Sequence, residues 1–176
     1  MTLITRVHDA NGVRSSAVYS PCERYRYALR REWGAGPRLT FIMLNPSMAT
    51  ETSNDPTSER CQRRATRLGF GAMWIANIFA WRETDPKKLR KRRWPEGADN
   101  MDQLSNAADW ADEILAAWGV HGAHRNQGPC VAETLAPFAE KLRVLGTTKD
   151  GHPRHPLYCA YDMPMQPWCG YASTVC

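Results

Sequence analysis

Four short apolar runs, spaced by helix-like stretches, constrain this chain more than any other feature. They are Leu39-Thr40-Phe41-Ile42-Met43-Leu44, Ala72-Met73-Trp74-Ile75-Ala76, Ile114-Leu115-Ala116-Ala117-Trp118 and Arg143-Val144-Leu145-Gly146. Each is continuous rather than alternating, the pattern of a strand covered on both faces. After the first run, Asp55-Pro56 offers an N-cap followed by proline at the first helical position. Cys61, Ala65 and Leu68 then fall at i, i+4 and i+7, and Gly69 stops the helix. Met101, Leu104 and Ala108 share a helical face before the third run, and a helix around Val131 to Leu142 feeds the fourth. Strands alternating with helices predict an α/β fold: three layers, α/β/α, around a mostly parallel four-stranded central sheet.

Ahead of these runs, Tyr25 to Leu29 alternates large apolar and basic residues, and Gly34-Ala35-Gly36-Pro37 breaks the pattern. This reads as a half-exposed strand of an N-terminal β-hairpin. With 176 residues, the chain is expected to form one domain, its core at about 17–160 and a loosely wrapped tail at 161–176. Apolar residues make up 43% and charged residues 23%, the balance of a globular protein rather than a disordered one. No run reaches the roughly 18 apolar residues of a membrane span. Met1-Thr2-Leu3-Ile4-Thr5-Arg6 lacks the apolar core of an export signal, so a cytoplasmic location is expected. The six cysteines include no Cys-x-x-Cys pair, which favours free thiols over a metal centre. There is no Gly-x-x-x-x-Gly-Lys phosphate loop and no zinc-deaminase pattern. No metal or cofactor is expected.

The net charge of +5 favours an anionic partner. It is concentrated in Lys87, Lys88, Arg90, Lys91, Arg92 and Arg93, followed at once by Trp94. Such a run is either a solvated face or a contact to nucleic acid, where basic groups release counterions from the phosphate backbone.

In open parallel sheets, ligands bind beyond the carboxyl ends of the strands. Here the first run delivers Asn45-Pro46-Ser47, the second delivers Asn77, and the fourth leads through Lys149 to His155-Pro156-Leu157-Tyr158. Alone, each is an ordinary turn; at one end of one sheet they make a candidate site. Asp55 has two readings, a helix cap or a catalytic carboxylate. Lys149 is either a Schiff-base former or a solvated loop lysine. His121 and His124 are either a metal pair or ordinary loop histidines.

The segments Leu39 to Ser47, Asn54-Asp55-Pro56-Thr57, Trp74 to Pro86 and Gly151 to Tyr158 resemble the bacterial and phage family called domain of unknown function 1643, over roughly residues 17 to 160. The order of motifs also resembles the uracil-DNA glycosylase superfamily. Leu44-Asn45-Pro46-Ser47 is similar to its water-activating loop, Gly71 to Asn77 to its base-reading strand, and His155-Pro156-Leu157 to its terminal His-Pro-Ser motif. Leu44 stands where that superfamily has glycine, and the His-Pro-Ser-Pro form is missing.

This second resemblance implies a uracil-DNA glycosylase-like fold that hydrolyses the N-glycosidic bond of a damaged or modified base in DNA. Asn45 would orient water, with Asp55 as the alternative carboxylate, and His155 would donate to the developing oxyanion. Asn77, with Phe79, Pro46 and Ser47, would bind the base, since an amide offers a donor and an acceptor to a flipped base edge. Ser47, Ser53 or the amides near Pro56 would hold a phosphate. Leu157 or Tyr158 would wedge into the gap left by the base, and the basic run would hold DNA. Two other readings compete: a modified-base-binding module without turnover, and an enzyme of free nucleosides or nucleotides.

Overall fold

The computed structural model describes residues 2–171. Its strands are β1 (Ile4–Ala10), β2 (Val13–Tyr19), β3 (Arg26–Glu32), β4 (Arg38–Met43), β5 (Ala72–Asn77), β6 (Glu113–Ala116), β7 (Leu142–Val144) and β8 (Gln166–Pro167). Its α-helices are α1 (Pro56–Arg67), α2 (Pro86–Leu89), α3 (Asn100–Trp110) and α4 (Gln127–Leu135). The strands form one sheet in the order β1-β2-β3-β5-β4-β6-β7-β8.

The four expected strands lie where their apolar runs placed them, adjacent and mutually parallel as β5-β4-β6-β7. The expected four-stranded, mostly parallel sheet is nevertheless too narrow and too uniform. Eight strands are present among the described residues, and four of the seven pairings are antiparallel. The excess comes from the ends of the chain. Asn11 and Gly12, both at positive φ, close a two-residue turn between β1 and β2, the geometry a tight hairpin needs. β3 then docks antiparallel on β5, Leu29 opposite Ile75. β1 was invisible as a strand because five of its seven residues are exposed and no apolar alternation marks it.

Side chains alternate across the sheet and build two cores. Leu39, Phe41, Met43, Met73 and Ile75 pack with Cys61 and Ala65 of α1. Ile42, Trp74, Ala76, Ile114 and Val144 pack with Leu104 and Ala108 of α3 and Val131 and Leu135 of α4. α1 thus covers one face, α3 and α4 the other, giving three layers. The Asp55 side chain caps α1 by accepting from the Ser58 amide, with Pro56 in the first turn. The helix expected up to Leu142 ends earlier. α4 ends at Leu135 and a 3-10 segment follows from Ala136, where Pro137 has no N–H to continue the α-helical ladder.

The tail is fastened rather than loose over its described part. Trp168 and Cys159 are buried, and β8 pairs with β7. Arg64 of α1, fully buried, donates to the carbonyls of Cys159, Ala160, Tyr161 and Met163. Residues 172–176 lie outside the described residues. Cys22, Cys61, Cys130 and Cys159 carry free thiols; Cys169 has a partner, against expectation, and Cys176 lies outside the described residues. Among the described residues no helix is long and apolar enough to cross a membrane.

Candidate functional site

The chain leaves β4 through α1 to β5 on one side, then returns through α3 to β6 on the other. The two crossovers part at the carboxyl end of β4, which opens a crevice in sheets of this kind. A cavity of about 640 Å³ sits there. Its walls come from the ends of β4, β5 and β6, from the start of α1, and from the segment after β7.

Asn45, Asn77 and His155, far apart in sequence, all line this cavity, and so does Asp55. Asn77 ends β5 and is only 2% exposed. Its main-chain carbonyl is taken by Asn100 Nδ2 at 2.9 Å, but its own Nδ2 is buried without a partner. That amide is a donor in want of an acceptor. Asn45 differs. Its Nδ2 donates to the Pro46 carbonyl at 3.1 Å and to the Glu83 carbonyl at 2.5 Å, so both amide protons hold the loop together. Only Oδ1 is left for another partner.

His155 accepts a hydrogen bond at Nδ1 from the Leu157 amide, 3.3 Å away. The neutral ring therefore carries its proton on Nε2. Burial pushes its pKa down to about 4, although nearby Asp55 pulls the other way. Burial would raise the Asp55 carboxyl, but the Ser58 and Ala49 amides, at 2.8 and 3.2 Å, and Arg26 hold it below its usual range. Near neutral pH the cavity thus contains an ionised carboxylate and a neutral imidazole. The two readings of Asp55 are not exclusive: it caps α1 and lines the cavity.

Other expected site residues divide. Ser47 lines the cavity. Phe79 does not: it is fully buried in the core, its ring 5.7 Å from that of His124. Pro46 is buried outside the cavity lining, its carbonyl receiving Asn45 Nδ2 and the Glu83 amide. Leu157 is exposed and off the lining, whereas Tyr158, 84% exposed, stands at the lip with its ring 5.9 Å from His155. Lys87, Lys88, Arg90, Lys91, Arg92 and Arg93 are exposed and outside the cavity. They run away from its rim, however. Pro86 lines the cavity, and Arg90 is 3.0 Å from Nδ1 of His121, another lining residue. Ser53 is exposed and off the lining, while Lys149 lies on it. Of the His121–His124 pair only His121 reaches the cavity. Among the described residues no group of three or more His, Cys, Asp or Glu is placed to hold a metal.

Arg26 was missed. An arginine at the start of a strand with basic and apolar residues in alternation reads as solvent-facing, yet Arg26 is 2% exposed and lines the cavity. Its NH1 donates to the Ala49 carbonyl at 2.5 Å, while its Nε is buried without a partner. Burial lowers its pKa to about 10, with Asp55 opposing. Trp118 was read only as strand; it forms part of the apolar wall, anchored by its Nε1 donating to the Tyr171 hydroxyl at 2.7 Å.

Neither a curated protein nor a solved structure matches the chain. A family model described as protein of unknown function (DUF1643) matches residues 26–157. The match covers well over half of the chain and takes in every cavity-lining residue except Tyr158. The chain belongs to the DUF1643 family.

Proposed function

We propose that this protein is a DNA glycosylase-like enzyme, related in fold to uracil-DNA glycosylases, that hydrolyses the N-glycosidic bond of a damaged or modified base in cytoplasmic DNA. One observation carries the reading. The buried, unpaired Asn77 amide shares a single cavity with the ionised Asp55, the neutral His155 and the free Oδ1 of Asn45. An extruded base would give the Asn77 amide the acceptor it lacks. As the C1′–N bond breaks, its electron pair leaves with the base, and the Nε2–H of His155 is a donor for the developing oxyanion. Asp55 supplies negative charge toward the sugar cation, and Asn45 Oδ1 accepts a hydrogen bond from the attacking water and orients it. The water oxygen bonds C1′, and the proton it loses neutralises the departed base. Exposed Lys and Arg beyond Pro86 suit the phosphates of the flanking strand.

A second reading, a base-binding module without turnover, is favoured by Asn45. Its amide is committed to the Pro46 and Glu83 carbonyls, and a neutral amide is no base. One assay separates the two. Purified protein is incubated with DNAs bearing uracil, deaminated, alkylated and hypermodified bases, and abasic sites are scored. The enzyme reading expects abasic sites in at least one DNA and their loss in Asn45→Ala and Asp55→Asn. Binding that depends on Asn77, with no abasic site in any DNA, would leave only the module.

A further inference from the structure

We propose that the Arg26 end of the cavity is a phosphate subsite, so that the cavity takes a base together with its phosphate rather than a bare base or a nucleoside. The inference rests on the base-reading site above and adds to it the substrate class.

Two side-chain donors in this cavity are buried without partners, Asn77 Nδ2 and Arg26 Nε. The first is neutral and suits a base edge. The second belongs to a cation. Buried arginines are ordinarily paired, because an uncompensated charge in the interior is costly. Arg26 makes no ion pair within 4.0 Å among the described residues; Asp55 opposes the loss of its charge only from farther off. NH1 is pinned on Ala49, so the guanidinium is held in place, and its planar fork suits a phosphoryl group.

The surroundings agree. Thr57, in the first turn of the 12-residue α1, lies on the same wall, where its hydroxyl is a further donor; the Ser58 amide is already held by Asp55. Lys149 and Arg154 line the cavity as well. Both carboxylates of the cavity already accept from other donors. Asp55 holds the Ser58 and Ala49 amides; Glu83 holds the Thr84 and Asp85 amides and the Arg92 guanidinium. Size points the same way, since about 640 Å³ falls in the range that encloses a drug-sized ligand, and a base alone leaves much of it unfilled.

A phosphate next to a base comes either from a free 5′-mononucleotide or from a phosphodiester in a strand. The full chain is titrated calorimetrically with 2′-deoxynucleosides (deoxyuridine included), their 5′-monophosphates and a short single-stranded oligodeoxynucleotide. Wild type, Arg26→Gln, Arg26→Lys and Asn77→Ala are compared, with circular dichroism to confirm folding. For a free nucleotide, at least one monophosphate should bind about tenfold or more tighter than its nucleoside, the worth of one charge-assisted hydrogen bond. Arg26→Gln should erase that margin while leaving the nucleoside within about twofold. If the strand is the source, Arg26→Gln should instead lower the slope of log affinity against log salt by about one. Should Arg26→Gln not fold, Arg26→Lys, which keeps the charge but not the Nε–H fork, should lose the same margin.

Equal binding of nucleosides and monophosphates together with an unchanged salt slope would overturn the subsite, as would failure of every monophosphate and the oligonucleotide to bind. In the first case a residual Asn77→Ala effect would leave the base site standing. An Arg26 effect with Asn77→Ala silent would mean the reverse: the subsite is real and the base reading is wrong.

Discussion

Replacing Asn77 by alanine should separate stability from binding, because its side chain does nothing for the fold that the fold can use. A buried amide without a partner costs about 1–3 kcal/mol, and Asn77 Nδ2 is such a group. The side chain forms part of the wall of an open cavity, so its removal encloses no new void. Some contact is lost, and the net change should lie between zero and about 2 kcal/mol in favour of the variant. For a chain of this size each kcal/mol moves Tm by about 2–4 °C, so thermal melts should show no drop and a rise of up to about 8 °C. Asn100→Ala provides the control. Asn100 is just as buried and its Oδ1 also lacks a partner, but its Nδ2 donates to the Asn77 and Ile78 carbonyls at 2.9 and 3.2 Å. Losing those bonds should lower Tm by at least about 2 °C. Ligand affinity should fall in Asn77→Ala despite its intact or improved melt. A Tm loss above about 3 °C in Asn77→Ala would show that the amide is satisfied in the folded chain and is not waiting for a ligand.

Two further outcomes are expected. His155 stays neutral down to about pH 4 in the folded chain but takes a proton near 6.5 once unfolded. The unfolded state binds the extra proton between those values, so stability should fall as pH drops through that window, by up to about 3 kcal/mol at pH 4. His121 and His124 are shifted in the same direction, so the measurement is a comparison: urea midpoints of His155→Asn should fall less than those of wild type from pH 7 to pH 4, and equal acid sensitivity would refute the assignment. Arg64→Met should cost about 3 kcal/mol by leaving the carbonyls of the segment after Cys159 unpaired. Hydrogen exchange should then speed up at Trp168, whose amide is bonded to the Leu142 carbonyl, and unchanged protection there would count against the role given to Arg64.

The legible part of the fold was the part buried on both sides. β4 and β5 are buried over nearly their whole lengths, and apart from Thr40 and Asn77 every buried residue is apolar, the run expected of an interior strand. Asp55-Pro56 marked the start of α1 for the same kind of reason, a cap and a proline whose local chemistry admits few alternatives. β1 had no such signature. The pair Asn11-Gly12 was its only local clue, and that pair becomes decisive only when both flanking segments are accepted as strands. β8 has two residues and no periodicity to detect. In the site, Asn45, Asn77 and His155 were visible because they follow buried strands or accompany proline. Arg26 was not, because burial of a charge depends on Ala49, Asp55 and α1, all of them distant in sequence. Phe79 shows the opposite error: proximity to Asn77 along the chain said nothing about which side of the sheet its ring enters.

The fork at β4 also bears on how relatives of this chain can vary. Because the two crossovers diverge there, the mouth exists whatever residues fill the connecting turns. Insertions after β4, β6 or β7 would deepen or narrow it without disturbing the pairing of a single strand. Asn77 is different, seated in the sheet itself and unable to move without it. Ligand preference should therefore drift among relatives through the rim, while the group at the floor is inherited with the scaffold.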